Sequence, residues 1–125
     1  QVNASLHTAM PTPHMARHLT QTDLLICGGG LLKYEAAYAA VPSAICSLVA
    51  LQHKDTQEFC KRGLAWDLGQ ADSESFATTL ETRLERVIND AELRQHMRDC
   101  SQSIFRDDST HHLARELVAL RAAQD

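Results

Sequence analysis

The sequence predicts an α/β fold with three layers, in which helices cover a parallel sheet of three or four strands, followed by a helical C-terminal part over residues 73–125. Two observations support this prediction. Short apolar runs alternate with helical segments between residues 23 and 69, and connections of this length join parallel strands through right-handed crossovers. From residue 73 onward, apolar residues recur every three or four positions, as on one face of a helix. With 125 residues, the chain has room for a single domain over 1–125.

The N-terminal part of the chain predicts a strand and a short helix ahead of the sheet. Residues 2–8 are predicted as one more strand, 10–13 as a proline-containing loop and 14–20 as a helix. The first strand of the glycine-rich region is predicted over 23–27, where a continuous apolar run ends at three glycines. Such a run is typical of a parallel strand that is covered on both faces.

The middle of the chain predicts two further strands separated by helices. A helix is predicted over 31–40 and the second strand over 43–49. The polar segment 52–62 predicts an amphipathic helix, with Gly63 at its C-cap. Residues 65–69 are predicted as the third strand.

Three helices are predicted after the sheet, each with a polar residue at its N-cap. Ser73 is the predicted N-cap of the first, Asp90 of the second and Ser109 of the third. The apolar face of the first helix is formed by Phe76, Leu80, Leu84, Val87 and Ile88.

Composition and charge exclude several classes of partner. The net charge of −4 and the isoelectric point near 5.9 imply no phosphate-neutralising face, so we expect no nucleic acid to bind. The apolar stretch 36–51 is interrupted by Pro42 and is shorter than the roughly 20 residues that span a bilayer, so no membrane span is expected. The four cysteines form no Cys-x-x-Cys pair and no secretory segment is recognisable. We therefore expect reduced thiols, which fill space as small hydrophobes, in a cytoplasmic protein.

Two clusters that contain histidine were considered as metal sites. His14 and His18 lie four residues apart, but the spacing places no third ligand beside them. The second cluster is interpreted as a helix cap and a solvated turn and consists of Asp107, Asp108, His111 and His112. We therefore expect no metal and no other cofactor.

The junction between the predicted first strand and its helix is the main candidate for a binding site. Gly28, Gly29 and Gly30 let a ligand approach the backbone closely, and the helix that follows presents free N–H groups and the positive end of its dipole. In open α/β sheets such loops lie at the carboxyl ends of strands, where ligands bind. Glu35, one turn into the helix, has a carboxylate that suits the two hydroxyls of a ribose. The alternative is a tight turn that needs small residues for structural reasons alone.

The polar start of the next helix is the second candidate, and it follows a strand of the same parallel sheet. Side chains of these types hydrogen-bond sugar hydroxyls. The alternative is a solvated first turn, in which such residues are common. The candidate residues are Gln52, His53, Asp55 and Gln57.

The order and spacing of these segments over 23–69 resemble the donor-binding, C-terminal half of GT-B glycosyltransferases. The similarity lies in the glycine-rich junction, in Gln-His-Lys-Asp-Thr-Gln at 52–57 and in Gly-Leu-Ala-Trp-Asp-Leu-Gly at 63–69. Within that class the segments resemble the family 28, MurG-type enzymes that add N-acetylglucosamine, and they are also similar to the UDP-sugar hydrolase of pseudaminic acid synthesis and to spore-coat polysaccharide biosynthesis proteins. This resemblance implies a Rossmann-like sheet of the GT-B C-terminal type, of which the chain contains a part.

The resemblance also implies a role for each candidate residue. Glu35 matches the glutamate that binds the ribose hydroxyls of the nucleotide. Leu32 stands where many relatives have Thr or Ser, so one hydroxyl contact with phosphate is missing. The residues assigned to the diphosphate are Gly28, Gly29, Gly30, Leu31 and Leu32, and those assigned to the donor sugar are Gln52, His53, Asp55 and Gln57.

The implied function is binding of a UDP-sugar, or a related nucleotide-sugar, by a half-domain that needs an acceptor-binding partner for catalysis. In this family the usual general base lies on the N-terminal domain, which has no counterpart here, so the catalytic residues stay unassigned. The first two strands of the donor domain also have no counterpart, which leaves the strand at 23–27 with an open edge. We therefore expect a homo-oligomer or a separate acceptor-binding subunit. The alternative is a non-catalytic, truncated domain with a structural or interaction role.

Overall fold

A computed structural model describes residues 4–8, 10–105 and 109–124. Within these residues the chain forms three strands and six helices. The strands are β1 (Leu25–Gly28), β2 (Ser43–Ser47) and β3 (Trp66–Gln70). The helices are α1 (Thr12–Thr20), α2 (Leu32–Tyr38), α3 (Ala50–Lys61), α4 (Phe76–Asn89), α5 (Ala91–Ile104) and α6 (Ser109–Ala122).

The three strands form one parallel sheet in the order β1-β2-β3. Leu25 of β1 lies opposite Ser43 of β2, and Ala44 of β2 lies opposite Trp66 of β3. The connections between the strands run through α2 and α3, as the alternation of apolar and helical segments predicts. The α/β class and a parallel sheet of three strands are therefore confirmed.

Helices cover the two faces of the sheet, which confirms the predicted layers. α2 and α3 pack on one face, where Ile45 and Phe59 are buried. α4 packs on the other face, where Leu68 and Val87 are buried. Ala44 and Ile45, which are adjacent in β2, belong to the two different clusters because successive side chains of a strand point to opposite faces. α5 contacts both α2 and α4 and so joins the two layers of helices.

β1 is covered on one face only, so the prediction that this strand is covered on both faces is wrong. Leu25 packs with Leu19 and Val41 on the covered face. Ile26 points to the opposite face and is 54% exposed. The reason is that α4 lies against β3, at the far edge of the sheet from β1.

The strand predicted over 2–8 is wrong in its described part. Residues 4–8 form no strand, and residues 2 and 3 lie outside the described residues. Leu6, the one large apolar residue of 4–8, is 91% exposed. A segment with a single such side chain has no apolar face to bury against a sheet. The helix predicted over 14–20 is present as the greater part of α1.

Polar and glycine caps explain where two of the helices end or begin. Asp90 caps α5, because its carboxylate accepts a hydrogen bond from the Leu93 N–H at 2.9 Å. Gly63 follows the C-cap of α3 with φ +75°, in the left-handed region that favours glycine. Both of these capping predictions are confirmed.

The N-cap predicted for α4 is wrong by two residues. Ser75, not Ser73, occupies the N-cap position, and its side chain makes no capping hydrogen bond. The Ser73 hydroxyl instead donates to the Gln70 carbonyl oxygen at 2.8 Å, in the turn that follows β3. A local turn therefore competes successfully for the serine hydroxyl. α6 begins at Ser109, whose side chain lies outside the described part.

α2 ends in a Schellman motif with alanine in the position that usually holds glycine. The Val41 N–H donates to the Ala36 carbonyl oxygen at 2.8 Å, and the Ala40 N–H donates to the Ala37 carbonyl oxygen at 3.0 Å. Ala40 has φ 55°, in the left-handed region. Val41 and Ala36 are both buried in one apolar cluster, which is the hydrophobic contact that accompanies this motif.

The helical C-terminal part is present as α4, α5 and α6, as predicted. α4 and α5 bury Val87 and Met97, although Ile88, predicted on the apolar face of α4, is 52% exposed, whereas the large apolar side chains of α6 are exposed. Among the described residues, no helix combines the length and the apolar character needed to cross a membrane. The exposed apolar residues of α6 are Leu113, Leu117, Val118 and Leu120.

Candidate functional site

The carboxyl ends of the three strands lie side by side at one edge of the sheet. β1 ends at Gly28, β2 at Ser47 and β3 at Gln70, and parallel strands point the same way. The segments that follow them lead into α2, α3 and α4 in turn. The predicted glycine junction and the predicted polar start of α3 are therefore neighbours at this edge, which we name the carboxyl edge.

The three glycines of the junction differ in whether packing leaves room for a side chain. A Cβ atom on Gly29 would lie 2.9 Å from Gln52 Cβ and 3.1 Å from Thr56 Oγ1, so packing against α3 requires glycine there. A Cβ on Gly30 would meet no atom of the described residues within 4 Å, and one on Gly28 would make only ordinary contact with the Cys46 carbonyl oxygen at 3.9 Å. The fold thus explains Gly29 and leaves the other two glycines without a steric requirement.

Leu31 and Leu32, which were assigned to the diphosphate, follow the glycines directly. Leu31 is the N-cap residue of α2 and is 78% exposed, whereas Leu32 is half-buried. Neither side chain has a polar group, so only their backbone N–H groups are available for an anion.

Lys33 is a residue of the junction that sequence reasoning missed. Its side chain is 1% exposed, and its Nζ donates to the Gly29 carbonyl oxygen at 2.8 Å and to a carboxylate oxygen of Asp55. The Tyr34 hydroxyl donates to the same carboxylate at 3.1 Å. Nothing in the spacing of the sequence distinguishes this buried lysine from one on a solvated first turn.

Asp55 therefore makes hydrogen bonds within the protein, while its side chain is 54% exposed. The hydrogen bond from Lys33 is the main cause that holds the pKa of Asp55 below its ordinary value, and the bond from Tyr34 acts in the same direction. The ion pair joins the glycine junction to α3 and neutralises the charge of the buried lysine.

Gln52 lies against the glycine junction, as the two sequence candidates together predict. Its Oε1 accepts a hydrogen bond from the Leu48 N–H at 3.1 Å, which closes the turn between β2 and α3. The Gln52 Cβ would be the nearest atom to a Cβ added at Gly29. The side-chain oxygen of Gln52 is thus engaged by the backbone.

Glu35 lies away from the start of α3. It is exposed and lines an open, mostly apolar groove of about 640 Å³ together with Leu19 of α1 and Tyr38 of α2. None of the residues predicted for the donor sugar lines this groove. A nucleotide held by the glycine junction would have to extend its ribose toward α1 to reach this carboxylate.

His53 and Gln57 line a different space, which we name the β3–α4 cavity. It has a volume of about 250 Å³ and lies between the start of α3, the end of β3 and the first turns of α4. His53 Nδ1 is buried and has no hydrogen-bond partner among the described residues. The cavity residues that sequence reasoning missed are Asp67, Gly69, Gln70, Ser73, Ser75, Phe76, Thr79 and Arg83.

Cys27, Cys46 and Cys60 are free thiols whose ionisation is disfavoured. Burial is the main cause that raises the pKa of the Cys27 and Cys46 thiols, and it raises that of Cys60 to about 12. No group of three or more His, Cys, Asp or Glu residues is arranged to hold a metal ion in the described ranges. Asp107 and Asp108, part of one cluster considered above, lie outside those ranges.

Comparisons of the chain with protein-family models, with curated proteins and with solved structures find no match. The fold at the level of a three-stranded parallel α/β sheet follows from the structure itself. Any function assigned to the carboxyl edge therefore depends on the geometry and chemistry of the residues described above.

Proposed function

We propose that this chain binds a nucleotide-sugar, of the UDP-sugar class, at the carboxyl edge of its sheet. The diphosphate lies on the backbone at Gly28–Gly30, the ribose reaches Glu35 and the sugar lies toward His53 and Gln57. The chain then acts as the donor-binding half of a cytoplasmic glycosyltransferase or sugar-nucleotide hydrolase, and a partner supplies the acceptor site. Bringing the two substrates together is the contribution that such an assembly makes to the rate.

The observation that supports this proposal best is the lack of any steric reason for glycine at two positions of the junction. Gly28 and Gly30 are exposed, neither has a φ in the left-handed region, and a Cβ would fit at both. Close approach of a ligand to the backbone is the remaining physical reason for glycine. Both residues stand at the carboxyl end of a parallel strand, where ligands of open α/β sheets bind.

Titration calorimetry with UDP and UDP-N-acetylglucosamine tests the proposal. Gly30→Val replaces a hydrogen by an isopropyl group whose Cβ would meet no described atom within 4 Å, so it should leave the chain folded and weaken binding at least tenfold. Ala122→Val, at an exposed position on α6, is the matched control and should bind as the wild type does. If Gly30→Val and the wild type bind with equal affinity, the glycine junction is not part of the binding site.

Glu35 needs a separate test because it lines the open groove that it shares with Leu19 and Tyr38, away from the start of α3. Glu35→Gln keeps the size of the side chain and should weaken UDP binding about tenfold if the carboxylate accepts two ribose hydrogen bonds. Glu81→Gln, on the exposed side of α4, is the control. No difference between Glu35→Gln and the control would place the ribose elsewhere, and no heat with any UDP ligand at millimolar concentration would refute the function as a whole.

A second candidate function is a non-catalytic role in assembly, and the open side of β1 favours it. β1 pairs with β2 on one edge and has no strand on its other edge among the described residues. Ile26 on its open face is 54% exposed, and α6 exposes its leucines. Such surfaces mark interaction sites in soluble proteins. A single monomeric species by light scattering at high micromolar concentration would rule out a homo-oligomer.

A further inference from the structure

The β3–α4 cavity contains a positively charged group that has no partner in the described part of the chain. Arg83 projects from α4, and its guanidinium makes no ion pair with any described carboxylate. One of its nitrogens, Nη1, would lie only 2.7 Å from a Cβ on Gly69, which has φ +103°. The glycine of β3 therefore provides the room in which the guanidinium lies.

The backbone at Arg83 is held against the sheet, so the side chain starts from a defined position. Trp66 of β3 donates a hydrogen bond from its indole N–H to the Arg83 carbonyl oxygen at 3.0 Å. This bond joins the first residue of β3 to the middle of α4. The bond fixes the main-chain position from which the Arg83 side chain projects into the cavity.

Two other features of the same cavity concern His53 and the start of α4. His53 Nδ1 is buried and lacks a hydrogen-bond partner among the described residues, and it donates to an anion in the tautomer that carries the proton on this nitrogen. The cavity includes the start of α4, where Ser75 makes no capping bond and the first turn contains no acidic residue. Glu74 directly precedes the N-cap and Asp72 lies in the same turn, bonded to Gln70, so acidic side chains stand near the positive end of this helix dipole and oppose an anion in part.

One negative charge, that of Asp67, also lines the cavity. Its Oδ1 accepts a hydrogen bond from the Gly69 N–H at 2.8 Å, within β3. The carboxylate is thereby directed toward the backbone of its own strand. Its charge opposes anion binding in part, so the guanidinium has to provide the specific contact.

We propose that the β3–α4 cavity binds an oxyanion of the ligand, a phosphate or a sugar carboxylate, with Arg83 as the residue that selects it. This inference rests on the proposed function, because His53 and Gln57 link the cavity to the start of α3 where the donor sugar is placed. The volume of about 250 Å³ suits one charged group or one sugar ring, since pockets that enclose larger ligands occupy roughly 300–1,000 Å³. A guanidinium binds either oxyanion through two parallel hydrogen bonds.

Calorimetric titration of four ligands against three proteins distinguishes the two sources of the oxyanion. The ligands are UMP, UDP, UDP-glucose and UDP-glucuronate, and the proteins are wild type, Arg83→Gln and Arg86→Gln. Arg86 lies on the same helix, outside the cavity, in an exposed ion pair with Asp90. If Arg83→Gln binds UMP normally but binds UDP and both UDP-sugars at least tenfold more weakly than the wild type, the oxyanion is a phosphate. If only the affinity for UDP-glucuronate falls by this factor, the oxyanion is the sugar carboxylate.

The result that overturns the inference is equal binding of all four ligands by Arg83→Gln and Arg86→Gln, in which case the proposed function still stands. If no UDP ligand binds to the wild type, the proposed function fails and the cavity is tested directly. Inorganic pyrophosphate and free glucuronate are then titrated into labelled protein while the Nε–Hε resonance of Arg83 is followed by NMR. A saturable shift of that resonance supports the oxyanion site, and its absence with both ligands refutes it.

Discussion

Replacing Ala40 by glycine should stabilise the protein, because this residue adopts a backbone conformation that suits glycine better. Ala40 has φ 55° and follows the C-cap of α2. Its N–H and that of Val41 donate to carbonyl oxygens in the last turn, so the hydrogen bonds of the motif hold the residue in the left-handed region. The substitution removes one methyl group from a half-buried position and changes none of these bonds.

The expected gain is the difference between two opposing free energies. An L-residue with a Cβ in the left-handed region is less stable by about 1–2 kcal/mol, and glycine avoids this strain. Glycine also makes the unfolded chain more flexible, which lowers the stability by about 0.4–1 kcal/mol. The net effect of Ala40→Gly is therefore an increase of about 0.5–1 kcal/mol in the free energy of unfolding.

Urea denaturation followed by circular dichroism measures this effect. At an m-value of about 2 kcal/mol/M, the midpoint should rise by about 0.3–0.5 M with no change in slope. Ala39→Gly is the matched control, since Ala39 has φ −79° and gains no relief of strain. The control should lose about 0.4–1 kcal/mol through the unfolded chain alone. If both variants are destabilised equally, Ala40 is not strained and the reasoning is refuted.

Three further predictions concern the core and the junction. Gly29→Ala should lower the free energy of unfolding by about 1–3 kcal/mol, measured by urea denaturation, because the new methyl group would overlap Gln52. Asp55→Asn should destabilise the protein at pH 7, because Lys33 would stay buried without an anionic partner. Lys33 lowers the pKa of Asp55, so the wild type should be more stable than Asp55→Asn above the ordinary pKa of an aspartate. This difference in the free energy of unfolding should disappear as the pH falls through the lowered pKa of Asp55. A difference that does not change with pH would contradict the ion pair. Cys60, with its pKa raised to about 12, should react with iodoacetamide at pH 8 far more slowly in the folded protein than in urea, as followed by peptide mass spectrometry.

The sequence predicts the elements of the sheet because their signals are local. A continuous apolar run that ends in glycines indicates a buried parallel strand, and β1 begins and ends within two residues of the predicted bounds. Gly63 and Asp90 act as predicted because a cap depends on the conformation of a few neighbouring residues. The prediction of Ser73 as an N-cap is wrong for an equally local reason, since the turn after β3 takes its hydroxyl.

The candidate site is predicted only as far as its edge of the sheet. That Gly29 and Gln52 are neighbours follows from parallel strands, which bring successive carboxyl ends together. Which side chains share a cavity does not follow, because that depends on how each helix is rotated and tilted against the sheet. Glu35 faces a groove toward α1, whereas His53 lines the cavity toward α4.

The sequence by itself determined the class of fold, the order of strands and helices from residue 14 onward and the polar character of the carboxyl edge, because periodicity and caps are properties of neighbouring residues. Only the tertiary structure decided that Lys33 is buried against Asp55, that Arg83 lies beside Gly69 and that one face of β1 is open. These features join residues that are distant in the chain, and the free energy of burying a polar or charged side chain depends on the partners that surround it.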